Sequence, residues 1–198
     1  MPGWQALNDE LADDGFMVIA VALDETADDV RPFTEGVSFP VLLDRDHVLA
    51  ELYAISNVPT VVWIDENGAI ARPNSAEVGT DMFVDITGVR PDEHMDQVRR
   101  WVQSGTLPSD ADTEIRDLDS DEIDARLAFR IAVHLRRIGQ PSAADWFASA
   151  VELAPMDFTV RRAAMPLQGM DPFGDQFFEL YAEWKSAGHP YHGIPRRR

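Results

Sequence analysis

The chain has 198 residues, 45% of them hydrophobic, and a formal net charge of -18; it is long enough to bury one or two cores. With Lys185 the only lysine, it lacks the clustered basic surface that nucleic-acid phosphates demand, so no nucleic acid is expected as a partner. It contains no cysteine, which excludes disulfides, thiolate nucleophiles and thiolate-held metals.

Trp4, Leu7 and Leu11 recur at intervals of three and four and predict a helix over residues 4–12 that stops at Gly15. Residues 16–23 are almost wholly apolar, as in a strand covered on both faces. Residues 24–29 read as an acidic helix start, 39–44 as a short extended segment and 46–55 as a helix. Residues 61–65 and 69–72 read as strands joined through Asn67-Gly68, a strong hairpin signal. Met95, Val98 and Val102 mark a further helix between Pro91 and Gly105. This alternation predicts an α/β layer structure. Strands 16–23 and 61–65 are expected to run parallel in one sheet, with 69–72 antiparallel to the latter.

Residues 106–119 read as a linker, and the rest as an all-α segment of helical hairpins. Ile123, Leu127, Ile131, Leu135 and Ile138 form a stripe read as the core face of one helix, with His134 beside it and partly buried. Gly139-Gln140-Pro141 turns the chain, and the next helix carries Ala143, Phe147, Ala150 and Leu153 on one face before Pro155. Helices over 158–165 and 174–186 follow, the last with Phe177, Tyr181 and Trp184 on one face and Phe178 beside it. With Phe173 and Tyr191 these aromatics read as core rather than as a binding surface, Trp184 and Tyr191 being the members expected to be exposed. The expected packing set is Ile123, Leu127, Ile131, Phe147, Ala150, Leu153 and Phe177.

Few residues offer chemistry. Asp117, Asp119 and Asp121 alternate as in a calcium loop, but Glu122 and Ala128 stand where that loop needs its glycine and its bidentate glutamate. The acids read instead as a helix start, with Asp119 as N-cap and Glu122 in the reciprocal capping place. His47, His94, His134, His189 and His192 show no zinc-helix spacing, and no serine elbow or phosphate-type glycine loop is present. The run Arg196, Arg197 and Arg198 reads as a solvated tail. No catalytic residue, metal or cofactor is therefore expected. No apolar run approaches the roughly 18 residues of a membrane span. No leader pattern opens the sequence, so as written it reads as cytoplasmic if Met1 is the true start.

One motif carries a family likeness. Val58-Pro59-Thr60 leads into the strand Val61-Val62-Trp63-Ile64-Asp65 and the Asn67-Gly68 turn, after the strand, helix, extended segment and helix of residues 16–55. This order resembles the second half of a thioredoxin-like domain, especially TlpA-like and alkyl-hydroperoxide-reductase-like redoxins. The resemblance implies a domain over 1–105, a linker over 106–119 and a helical domain over 120–198. It implies a cis Val58–Pro59 bond, and a loop of Val58, Pro59 and Thr60 whose backbone meets an extended substrate peptide. A protein or peptide thiol or disulfide would be the partner. In that family a central strand, ending in Cys-x-x-Cys, lies between the strands represented here by 16–23 and 61–65. The helix at 2–12 resembles the remainder of the one that carries the motif. The fold expected is thus an incomplete thioredoxin-like sheet with flanking helices, followed by the helical segment.

Three readings follow from the missing cysteines. The chain is an N-terminally truncated redoxin, redox-inactive as written, its start set too late or a selenocysteine codon read as a stop. Or it is a genuine non-catalytic thioredoxin-like module whose helical domain binds a protein partner. Or it is an unrelated acidic scaffold. Residues 123–155 further resemble one tetratricopeptide-type hairpin: small residue, aromatic, small residue, leucine, proline.

Overall fold

A computed structural model of the chain describes residues 2–56, 58–76, 90–112, 116–172 and 174–188. Phe173, His189, Tyr191, His192 and the arginine tail lie outside the described residues, as do Asn57 and the middle of the expected linker. The chain divides into two compact units. One comprises residues up to Arg45 together with Pro59–Thr113, and the other Asp46–Val58 together with Glu114–Pro195.

In the first unit, helix α1 (Pro2–Leu11) ends in a 3-10 turn, Ala12–Asp14, closed by Gly15 at a left-handed φ of 78°. Strand β1 (Ala20–Ala22) pairs in parallel with β2 (Val41–Leu43), Val21 opposite Leu42. Between them lies the single-turn helix α2 (Ala27–Val30), held by a capping box of Thr26 and Asp29. Helix α3 (Val48–Leu52) belongs to the second unit. Strands β3 (Thr60–Ile64) and β4 (Ile70–Ala76) form an antiparallel hairpin. At its turn Asp65 Oδ1 accepts from the backbone of Asn67 and Ala69, and Gly68 takes φ 78°. Helix α4 (Pro91–Ser104) ends at Gly105, also left-handed. Leu7 and Leu11 of α1, Trp63 of β3, Ala71 of β4, and Met95 and Val98 of α4 form the core. Arg99 of α4 clamps Glu10 of α1 through two 2.8 Å bonds.

Two expectations are corrected here. The strands at 16–23 and 61–65 do not share a sheet: among the described residues β1 pairs with β2 alone, and β3 with β4 alone. Nor is the first strand covered on both faces. Its ordered pairing shrinks to three half-buried residues, with Met17 62% and Ile19 58% exposed. Burying both faces of a strand needs a layer packed on each side of its sheet, and the exposed Met17 and Ile19, two residues apart on one side, show a side without that cover.

Among its described residues the second unit is helical apart from its loops. Helix α5 (Ser120–Arg137) starts at the reciprocal Asp119–Glu122 capping box, as the sequence predicts. Gly139 turns the chain into α6 (Ala143–Leu153), followed by α7 (Phe158–Leu167) and α8 (Asp175–Ser186). The core joins Ala125, Ala128, Phe129, Ala132 and Val133 of α5 to Phe147 and Ala150 of α6 and Val160, Ala164 and Leu167 of α7. A satellite cluster of Phe158, Met165 and Leu180 takes in Phe177 and Trp184.

The stripe expected to face this core faces water instead. Ile123 and Leu127 are each 48% exposed, Ile131 39% and Ile138 53%. His134 and Leu153 are exposed as well, Trp184 is half-buried rather than exposed, and Phe178 is exposed. The reason is volume. Alanines at 125, 128 and 132 let α6 and α7 approach α5 closely, and Phe129 and Phe147 fill the gap edge to face at 5.9 Å.

Candidate functional site

The residues implied by the redoxin resemblance are Val58, Pro59 and Thr60. The division between the two units passes between Val58 and Pro59. Val58 and Pro59 are exposed, and Thr60 opens β3 opposite Ala76. No cysteine exists to face them. Among the described residues no group of three histidines or carboxylates is placed to hold a metal, and Asp119 serves as a helix cap. A surface depression of about 440 Å³ is lined by Gln97, Arg100, Thr106, Leu107, Pro108 and Ser109. Its polar groups are a guanidinium, an amide and hydroxyls, without a carboxylate or imidazole to act as acid or base.

Two clusters of buried polar residues were not expected from the sequence. In the first unit, Trp63 stacks on Trp101 at 5.1 Å, and His94 sits 5.6 Å from Trp4 and 5.8 Å from Trp63. The Arg72 guanidinium lies 5.1 Å above the Trp63 ring, with Nη1 3.4 Å from His94 Nδ1. Arg72 and His94 are both buried. A desolvated cation over indole is worth about 2 kcal/mol, so Arg72 and His94 brace the hairpin against α1 and α4. The available signal was the helical position of His94, one residue before core-facing Met95.

In the second unit, Arg126 donates from Nε to Asp157 Oδ2 at 2.8 Å and from Nη1 to the Glu51 carbonyl at 2.9 Å. Arg130 donates to both oxygens of Glu51, at 2.5 and 3.2 Å. Asp157 Oδ1 meanwhile accepts from the backbone N–H of Thr159 and caps α7. Glu51, Arg126 and Asp157 are buried, so each charge is matched where water cannot reach it. Arg116 similarly forks onto Glu122 at the start of α5. Arg162 lies 4.9 Å over Phe177, and burial lowers its pKa from the ordinary arginine value. All these groups hold helices together, and none pairs a nucleophile with a base.

No family model matches the chain, and no solved structure matches it. Over 84 residues it is 30% identical to the thiol-disulfide oxidoreductase ResA of Halalkalibacterium halodurans. The match covers 41% of this chain and 48% of that protein, so the chain spans about half the length of the curated relative it matches. None of the described helices is long and apolar enough to cross a membrane. The match supports a relationship to thioredoxin-like redoxins, and the mixed strands and helices of the first unit are compatible with part of such a fold.

Proposed function

We propose that residues 1–105 are a thioredoxin-like domain of thiol-disulfide oxidoreductase descent, TlpA-like in type, that lacks its central strand and redox motif. The reading rests on one observation: β1–β2 and β3–β4 are separate two-stranded sheets among the described residues. One further strand between β1 and β3 would make them a single sheet and pair their second edges. Residues 106–119 then act as a linker and 120–198 as a tetratricopeptide-like helical domain. In a completed domain Val58, Pro59 and Thr60 would present backbone to a protein thiol or disulfide, with Val58–Pro59 cis. A protein or peptide thiol is thus the partner class.

As it stands the chain is redox-inactive. Exchange requires a thiolate that attacks one sulfur of the substrate disulfide and expels the other. A second thiol then resolves the mixed disulfide, so two thiols are oxidised as one disulfide is reduced. Insulin reduction with dithiothreitol as donor tests this. The 198-residue chain is expected to run at the uncatalysed background. A version extended upstream to include an in-frame Cys-x-x-Cys, or its selenocysteine counterpart, is expected to exceed it. Turnover by the 198-residue chain, or no such codons in the upstream DNA, overturns the truncated reading. The latter result would favour a genuine non-catalytic binding module, a reading supported by the exposed apolar stripe on α5.

A further inference from the structure

We infer that Asn67 is a site of spontaneous covalent modification, converted to aspartate and isoaspartate by attack of the Gly68 backbone nitrogen, and that Asp65 sets the rate. Asn67 and Gly68 are exposed at the tip of the β3–β4 hairpin. The Asn67 side-chain amide makes no hydrogen bond among the described residues. Gly68 carries no side chain to shield its nitrogen, and no described atom beyond its chain neighbours lies within 4 Å of where a β carbon would stand. The other asparagines lack this setting. Asn8 is half-buried in α1, its Oδ1 accepts from Val18 N at 3.0 Å, and its successor is Asp9. Asn57 precedes Val58, whose branched side chain crowds the nitrogen, and Asn74 precedes Ser75.

The chemistry needs only solvent water and hydroxide. Once deprotonated, the Gly68 nitrogen bonds to the side-chain carbonyl carbon of Asn67, and the bond from that carbon to the amide nitrogen breaks. Ammonia leaves, and a succinimide ring remains. Water then adds to either ring carbonyl carbon and breaks its bond to the ring nitrogen. Opening at the side-chain carbon gives aspartate. Opening at the backbone carbon gives isoaspartate, whose main chain is one methylene longer. Nothing is oxidised or reduced. The hairpin restrains the attacking atom: Gly68 N donates to the Asp65 carbonyl at 2.9 Å, while Asp65 Oδ1 accepts from Asn67 and Ala69, each at 2.9 Å. The turn must open before the nitrogen can give up its proton, so conversion proceeds from a locally opened state. Either product adds a carboxylate beside Asp65 and Glu66, and the longer main chain of isoaspartate no longer matches the spacing that Asp65 bridges. The inference is independent of the redox reading.

Incubation of the full chain in mildly alkaline buffer, followed by mass-spectrometric peptide mapping, tests it. The expected result is steady replacement of the Asn67 amide by a carboxyl, resolved by chromatography into two isomers, while Asn8, Asn57 and Asn74 stay unchanged. The same chain in urea should convert Asn67 several-fold faster, because the turn is open. Asp65→Ala, with its fold checked by circular dichroism, should also convert several-fold faster than wild type. Asp65→Asn keeps the acceptor oxygen and should stay near the wild-type rate. In wild type the Gly68 amide should be protected from hydrogen exchange. An unchanged Asn67, over a period in which the urea-unfolded chain converts, overturns the inference, as does equal conversion at Asn8 or Asn74. A wild-type rate in Asp65→Ala, or an unprotected Gly68 amide in wild type, overturns the role of Asp65.

Discussion

The sheet-bearing unit and the helical unit carry their excess apolar surface differently. In the first, exposed apolar residues are scattered along short strands: Met17 and Ile19 before β1, Leu42 and Leu43 on β2, Ile64 on β3. Each of these strands has one partner, and their second edges pair with no strand among the described residues. In the second, each helix satisfies its backbone internally, and exposed apolar residues lie on several helices: Val48 and Leu52 on α3, Ile123, Leu127 and Ile131 on α5, Trp146 and Leu153 on α6, Phe178 and Tyr181 on α8. A sheet that lacks a neighbour loses hydrogen bonds and cover together. A helix with exposed apolar residues lacks only cover, because its backbone hydrogen bonds are internal.

The buried ion cluster should break the helical unit hardest. Asp157→Ala strands the Arg126 charge, which in buried pairs costs about 3–5 kcal/mol, and removes a helix cap worth roughly 1 kcal/mol more. Adding Arg126→Met to it should return a good part of the loss, because the orphaned charge goes with the side chain. Urea unfolding of the three variants measures the cycle. A double variant no more stable than Asp157→Ala would mean the cap, not the charge, carries the effect.

Next in size is a contrast along the helical hairpin. Phe147→Ala removes a wholly buried ring that meets Phe129, and should cost about 3–5 kcal/mol. Leu127→Ala on the outer face of α5 should change stability by no more than about 0.5 kcal/mol. Equal costs at the two positions would return the stripe to the core.

That contrast also shows what the sequence could convey. Local signals were legible because their physics is local: the Asp119–Glu122 capping box, the Asn67-Gly68 turn, and the left-handed stops at Gly15, Gly105 and Gly139. The inner face of α5 was not, because it satisfies helical spacing as well as the outer face does. Its alanines weigh little on a hydrophobicity count, yet they permit the closest approach. The Glu51–Arg126–Asp157 cluster joins residues 75 and 31 positions apart in a chain crowded with acids. No spacing rule picks these two carboxylates from the rest. Val58, Pro59 and Thr60 were legible only through resemblance, because no residue type there carries chemistry by itself.

The smallest expected effect lies on the sheet-bearing unit and is read through pH. Hydrogen bonds from Arg99 hold the Glu10 carboxyl below its ordinary value of 4.5, with a smaller charge attraction in the same direction and slight desolvation opposing both. The folded chain therefore binds this proton more weakly than the unfolded chain, and stability rises with pH in that range. The contribution is complete above the ordinary value and is lost as pH falls through the depressed folded one. Glu10→Gln should lower the melting temperature slightly at neutral pH, and the gap from wild type should close once the pH has fallen below that depressed folded value. Because the pair is exposed, added salt should narrow the gap at neutral pH as well. A gap that persists at low pH would mean that Glu10 acts through packing of its stem against α4 rather than through its charge.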